Sequence, residues 1–366
     1  MKEKVLLGMS GGVDSSVSAI MLKNAGYDVI GATMKLWDNS EEKEIEGGCC
    51  NLSSVYDAKR VCDKLGIPHY VLDCQEEFKK NVIQNFISCY TCGKTPNPCI
   101  ECNRHLKFEA FYRKAKQLEC KYIATGHYAK TEYSEKYGCY VLRKSKAVKK
   151  DQSYVLYNIP KEIVENVLFP LGDFKDKAEI REIAREYGLI NASKPDSQEI
   201  CFIPDNDYSG FLEKNMDKKS EIGDIVHVNG SILGKHKGLI HYTVGQRKGL
   251  GIAYPTPLYV IKLDMEKNQL IVGDEKDIYS KELEAEDLNI LLPVTEEKEI
   301  PIQAKIRYSA KEAKAMLVIK KDNTATVTFE EAQRAITPGQ SVVFYTADGI
   351  VLGGGKIKWK KKTELL

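Results

Sequence analysis

The chain is predicted to carry an α/β N-terminal domain on a parallel sheet, followed by two smaller β-rich domains, the last of them a β-barrel. Three observations predict it. Strand-like apolar runs alternate with helix-like segments up to about residue 200, and short strands with glycine turns replace them after about Asp205. A chain of 366 residues also exceeds one ordinary core. The expected domains are residues 1–205, 206–285 and 286–366.

Val5-Leu6-Leu7 reads as a strand, and a helical face of Val17, Ile20 and Met21 begins near Ser16. Val29 to Met34 and Tyr70 to Asp73 read as further buried strands. The helix between them, Tyr56 to Leu65, is stopped by Gly66, with Pro68 just beyond. Tyr122-Ile123-Ala124-Thr125 is a short strand ending in Gly126-His127, and Lys177 to Tyr187 is a helix closed by Gly188. This alternation implies helices on both faces of the sheet and ligands at the carboxyl ends of its strands, where Gly8, Met34 and Gly126 fall. Farther on, Ile225 to Val228 with Asn229-Gly230 reads as a hairpin, as does Leu258 to Leu263 with Leu270 to Val272. Ile302 to Tyr308, Met316 to Lys320, Ala325 to Phe329, Ser341 to Tyr345 and Val351 to Trp359 are the expected barrel strands.

Net charge is only +2, so any nucleic-acid surface must be a local patch. Basic clusters stand at Arg143, Lys144, Lys146, Lys149 and Lys150, and at Lys356, Lys358, Lys360, Lys361 and Lys362; by themselves such clusters are usually solvated faces. No stretch is long and apolar enough to span a membrane, and Met1-Lys2-Glu3-Lys4 leads straight into the first strand, so a cytoplasmic protein is expected. Eleven cysteines without an export signal point to thiol chemistry or metal binding rather than a disulfide scaffold. Four of them, Cys62, Cys74, Cys120 and Cys139, read as buried small hydrophobes, and Cys49-Cys50 as part of a mobile loop near the ligand.

Between the first strand and helix lies Gly8-Met9-Ser10-Gly11-Gly12-Val13-Asp14-Ser15. Adjacent glycines let the backbone approach a ligand closely, and the helix start aims unpaired N–H groups and a positive dipole end at the loop. This is an anion cradle. It lacks the Gly-Lys-Ser/Thr of phosphoryl-transfer P-loops. Ser-Gly-Gly-x-Asp-Ser instead resembles the pyrophosphate loop of adenine nucleotide α-hydrolase-like enzymes, which split ATP into AMP and pyrophosphate. That resemblance implies ATP held by the eight loop residues with Met34 and Gly126: Ser10 and Ser15 on phosphates, Asp14 helping to hold Mg2+, and Met34 against the adenine.

Thr95-Pro96-Asn97-Pro98-Cys99-Ile100-Glu101-Cys102-Asn103 sets two thiols three apart on what reads as a proline-stiffened loop, and Asp196 to Ile203 presents Cys201. Together with Ala124-Thr125-Gly126-His127-Tyr128, Lys150-Asp151-Gln152-Ser153-Tyr154, Gly245 to Gly251 and Pro338-Gly339-Gln340, these blocks resemble, in order, the bacterial tRNA-specific 2-thiouridylase family (MnmA). The resemblance implies sulfur transfer to the wobble uridine of tRNAs for lysine, glutamate and glutamine. ATP would activate the 2-oxygen as an adenylate, Cys201 would carry a persulfide, and Cys102 would form a disulfide with Cys201 as the sulfur leaves. Asn97, Pro98 and Cys99 would touch the target base. Lys150, Asp151, Gln152, Arg307 and Tyr308 would touch tRNA, with His127 and Gln340 helping to position it. A sulfur-donor or sulfur-relay protein is the implied second partner.

The chain departs from the family's simplest pattern where many members carry aspartate in place of Cys99, and where Cys89-Tyr90-Thr91-Cys92 adds a second thiol pair. Cys99, Cys102 and Cys201 could instead ligate a 4Fe-4S cluster, and Cys89, Cys92, Cys99 and Cys102 have the paired spacing of a zinc knuckle. Spare thiols at a helix end is the preferred reading of Cys89 and Cys92. Rival functions are a different ATP pyrophosphatase, which would need no Cys102–Cys201 pair, and a non-catalytic metal-binding RNA adaptor, which would not need Ser10, Asp14 and Ser15.

Overall fold

The structure, a computed structural model, describes residues 2–36, 52–195, 200–203, 206–216 and 220–359. Cys49 and Cys50, the Asp196 to Glu199 part of the Cys201 block, and Lys360 to Lys362 lie outside the described residues.

The apolar triplet at the start becomes β1 (Lys4–Gly8), followed by α1 (Val13–Asn24), β2 (Asp28–Lys35), α2 (Leu52–Leu65) and β3 (His69–Asp73). Two helical stretches come next, each interrupted by a π-helical segment: α3 (Gln75–Phe78) with α4 (Gln84–Thr91), then α5 (Pro98–Cys102) with α6 (Phe111–Gln117). β4 (Tyr122–Ala124) then enters the sheet beside β1. After it come a hairpin of β5 (Ala129–Ser134) and β6 (Cys139–Lys144), the short α7 (Ser153–Leu156), β7 (Val167–Leu168) and α8 (Lys177–Glu186).

The sheet is parallel throughout, in the order β3-β2-β1-β4-β7. The chain moves outward from β1 to β3 and returns on the other side of β1, so the topological switch point lies between the carboxyl ends of β1 and β4, where such sheets bind ligands. One face packs on α1, α2 and α8 through Val17, Ile20, Val61, Ile180 and Ala184. The other packs on Phe108, Phe111 and Tyr154. β3 corrects an expectation: it is an edge strand rather than a buried one, with Tyr70 49% and Val71 50% exposed, because only β2 pairs with it. The β5–β6 hairpin had no sequence signal, since its charged Lys130, Glu132, Arg143 and Lys144 obscure the apolar alternation.

After α9 (Tyr208–Asn215), the middle region forms a four-stranded sheet of β8 (Gly223–His227), β9 (Ile232–His236), β10 (Tyr259–Asp264) and β11 (Gln269–Gly273), in the order β10-β11-β8-β9. Both expected hairpins are present, and β11 pairs parallel with β8 to join them. β12 (Tyr279–Ile290), β13 (Glu299–Lys305), β14 (Ala313–Ile319), β15 (Ala325–Arg334), β16 (Ser341–Tyr345) and β17 (Val351–Ile357) close a barrel in which β17 returns to β12. β13 ends before Arg307, shorter than the expected strand, so Arg307 and Tyr308 stand at the strand's mouth. The barrel docks on the first domain as one continuous core: Val343, Tyr345 and Val351 pack with Phe108, Tyr154 and Tyr157.

Candidate active site

The glycine loop leaves β1 at the switch point and enters α1. Gly11 has φ +71°, and a side chain there would meet the Ser54 carbonyl at 2.4 Å; a Cβ on Gly126 would lie 2.8 Å from the Ser15 nitrogen. Both glycines are therefore demanded by close backbone approach. Met9 and Val13 are buried, so only their backbone faces the loop. Thr33 donates to the Met9 carbonyl at 2.7 Å, and buried Asn191 donates to the Gly11 carbonyl at 3.0 Å and to Ser16 Oγ at 2.9 Å, which holds the loop from behind. Ser10 and Ser15 hydroxyls lie 3.3 Å apart across the cradle. Gly12 caps α1 without a side-chain bond, so first-turn N–H groups remain directed at the loop. Gly8 lies against Ala124 and Thr125, and Met34 is half-buried at the end of β2 between two apolar clusters.

Tyr128 and Lys177, to which the sequence assigned no role, complete this corner. Asp14 accepts from Tyr128 Oη at 2.8 Å and pairs with Lys177 Nζ at 2.9 Å. Tyr128 is in turn clasped by Gln152, whose Oε1 accepts from the Tyr128 N–H at 2.9 Å. Lys177 opens α8 beyond the N-cap Asp176, 163 residues from Asp14, so no local pattern could join them.

The cysteine block also corrects its reading. Pro98 to Cys102 is helical, because a proline at the first helical position loses no hydrogen bond there and its ring presets the backbone. The π-helical turn Asn103–Ala110 follows at once, a distortion common at functional sites. Cys102 is 8% exposed and packs with Phe78, Phe86, Leu106 and Phe202 in a cluster that half-buried Cys201 joins. Asn103 donates to the Val155 carbonyl at 2.8 Å and ties this helix to α7. Cys99 is exposed instead. Among the described residues no three His, Cys, Asp or Glu side chains converge as a metal site requires, so neither the iron nor the zinc donor set is assembled. Cys89 and Cys92 lie at the C-terminal end of α4. Burial pushes the Cys62 thiol up to about 12 and Cys74 to about 11, as inert core thiols require, and Cys120 is likewise buried. Cys139 is only half-buried, because it starts β6 just after the hairpin turn at Gly138.

Residues expected at tRNA fall into three groups. Gln340 turns inward and donates to the Thr95 and Pro96 carbonyls at 2.9 and 3.2 Å, while the Thr95 N–H donates to Pro338 at 2.8 Å; the barrel thereby braces the Asn97–Pro98 approach to Cys99. A cavity of about 400 Å³ opens there, lined by Cys89, Asn97, Glu101, Ser341 and Lys356. His127 stacks among Phe108 and Phe169 with Nδ1 2.8 Å from Thr125 Oγ1; burial, with Lys107 nearby, holds its imidazole neutral, well below the usual value. Lys150, Asp151 and Cys99 form the third group, each within electrostatic reach of the half-exposed Tyr308. The Asp151 carboxylate accepts from Ser145 N–H and Ser153 Oγ, and Arg307 donates to the Arg334 and Ala335 carbonyls, so both also shape the backbone.

Family models match almost the whole chain: a tRNA methyl transferase HUP domain over residues 3–205, a tRNA methyl transferase PRC-barrel domain over 209–274, and an aminomethyltransferase beta-barrel domain over 280–357. The tRNA-specific 2-thiouridylase MnmA of Clostridioides difficile is 54% identical over 358 residues, covering 98% of this chain and 99% of that protein. The proteins of the same name from Acetivibrio thermocellus and Clostridium beijerinckii are 54% and 52% identical, each covering 98% of this chain and 99% of theirs.

Proposed function

The chain belongs to the tRNA-specific 2-thiouridylase MnmA family, and from that membership we propose that it uses ATP to replace the 2-oxygen of the wobble uridine of tRNAs for lysine, glutamate and glutamine by sulfur. The observation that carries the reading is the meeting of Cys102 and Cys201, far apart in the chain, in one apolar cluster on the domain that holds the pyrophosphate loop.

ATP lies in the cradle, its phosphates on Ser10, Ser15 and the N–H groups opening α1, its adenine toward Met34. Asp14 would hold Mg2+, which supplies charge neutralisation of the phosphates, while Lys177, now facing Asp14, would turn to the anion. The uridine O2 attacks the α-phosphorus; the O–P bond forms and pyrophosphate leaves. The terminal sulfur of a Cys201 persulfide then bonds to C2, and AMP leaves with the former oxygen. Cys102 thiolate attacks Cys201 Sγ and breaks its bond to that sulfur, which stays on the base; the resulting Cys102–Cys201 disulfide is reset by an external dithiol. Burial of Cys102 keeps water from the activated base. A sulfur-relay protein reloads Cys201. No helix among the described residues is long and apolar enough to cross a membrane.

The test is turnover of unmodified tRNA with ATP, Mg2+ and a persulfide donor. AMP, pyrophosphate and 2-thiouridine should appear in equal amounts. ADP and phosphate as main products, or modification without ATP cleavage, would overturn the reading.

A further inference from the structure

Lys305 ends β13, and its ammonium stands over two tyrosine rings, 5.8 Å from the centroid of Tyr154 and 5.5 Å from that of Tyr308. Tyr154 is buried, with its hydroxyl committed to the Ser341 carbonyl at 2.8 Å. Tyr308 meets it edge-on, ring centroids 6.1 Å apart, and is 46% exposed. The cation that acts on Lys305, Lys144, has a carboxylate of its own in Glu312. Among the described residues no carboxylate oxygen stands within ion-pair distance of Lys305 Nζ. The nearest acidic influences, Asp151 and Glu312, act from farther away, and Asp151 spends its oxygens on Ser145 and Ser153. Burial, with Lys144 adding to it, pushes the Lys305 ammonium below its ordinary value.

A half-buried cation against ring faces, with its carboxylates beyond ion-pair distance, is incompletely compensated, and a mobile anion from outside would complete it. The group beside it narrows the anion. Tyr308, whose ring Lys305 contacts, lies within electrostatic reach of Lys150 and Cys99, which puts Lys305 near the block expected to touch the target base. Resting on the tRNA reading above, we propose that Lys305 binds a backbone phosphate within one nucleotide of the target uridine, with Tyr154 and Tyr308 holding the ammonium in place.

The test uses the full chain with Lys305→Met and Lys305→Arg, and unmodified tRNA carrying single methylphosphonates through the anticodon loop. Met fills the same space and removes a desolvated charge, so it should fold at least as stably. Lys305→Met should weaken tRNA binding and flatten its salt dependence by about one unit, while Lys305→Arg keeps both. One methylphosphonate next to the target uridine should weaken binding to the unaltered protein and have no further effect on Lys305→Met. Equal responses of both proteins at every phosphate, or an unchanged salt slope, would overturn the proposal. So would a fall in ATP affinity measured without tRNA, which would assign Lys305 to the nucleotide phosphates. Failure of the unaltered protein to bind tRNA would instead overturn the thiouridylase reading itself.

Discussion

Asp14, Lys177 and Tyr128 show what one residue's surroundings decide. The Asp14 carboxylate is neutralised by Lys177 and hydrogen-bonded by Tyr128, so a ligand reaching Asp14 must displace the lysine. Asp14→Asn should weaken metal-dependent adenylation and leave tRNA affinity nearly intact; parallel loss of both would show that the two sites are not separate. Lys177→Met should raise the ATP concentration needed for half-maximal AMP formation without changing tRNA affinity, and an unchanged ATP requirement would confine Lys177 to a structural role. Among the thiols, Cys102→Ser and Cys201→Ser should each abolish 2-thiouridine, whereas exposed Cys99→Asp should retain it. Loss of activity together with bound iron in Cys99→Asp would restore the cluster route. The glycines and serines of the loop were legible because their backbone demands are local. Lys177 and Lys305 were not, since what distinguishes them is a partner, or the lack of one, set by the tertiary fold.

The element on which the site turns is the helix that begins at Pro98 and runs through a π-helical turn into α6. It is bound to the barrel by a ring of charges. Glu101 pairs with Lys356 at 3.0 Å, Lys356 with Asp287 at 3.0 Å, Asp287 with Arg104 at 3.4 Å, and Glu109 reaches back to Arg104 and His105. Burial pushes the Glu101 carboxyl up, but His105 and Lys356 outweigh it and hold it below the usual range. Lys356→Met would leave Glu101 buried without its cation and should cost roughly 3 kcal/mol in urea unfolding, much of it recovered in the double variant with Glu101→Gln. His105 is held above its ordinary value, first by its hydrogen bond to Glu101, against burial and with help from Glu109. A raised folded-state value means the stabilisation is fully present below the unfolded value near 6.5 and fades as pH rises through the folded one. His105→Gln should therefore lower Tm more at pH 6 than at pH 9, and an equal loss at both would remove the ionic role. The sequence showed this segment's proline and thiols but not its helix, because Pro98 reads as a breaker until it is seen at the first helical position.

Across the whole molecule, the first region and the barrel share one core. The parallel sheet was legible from alternation, and the barrel from its short strands. Their shared core was not, because Tyr154, Tyr157, Val343 and Tyr345 each look like the interior of a separate domain until they pack together. That packing links the sites: Gln340 of the barrel braces the approach to Cys99, and Gln152 clasps Tyr128, which holds Asp14. The glycine-loop corner is thus held by Gln152 through Tyr128, and the approach to Cys99 by Gln340. In the proposed mechanism Cys201 delivers sulfur to the activated uridine and Cys102 releases it. The most direct measurement is a single turnover of protein preloaded with persulfide, given ATP and unmodified tRNA, followed by mass spectrometry of the Cys102 and Cys201 peptides alongside the nucleosides. A Cys102–Cys201 disulfide should form in equal amount with 2-thiouridine; 2-thiouridine appearing while both cysteines remain thiols would rule the mechanism out.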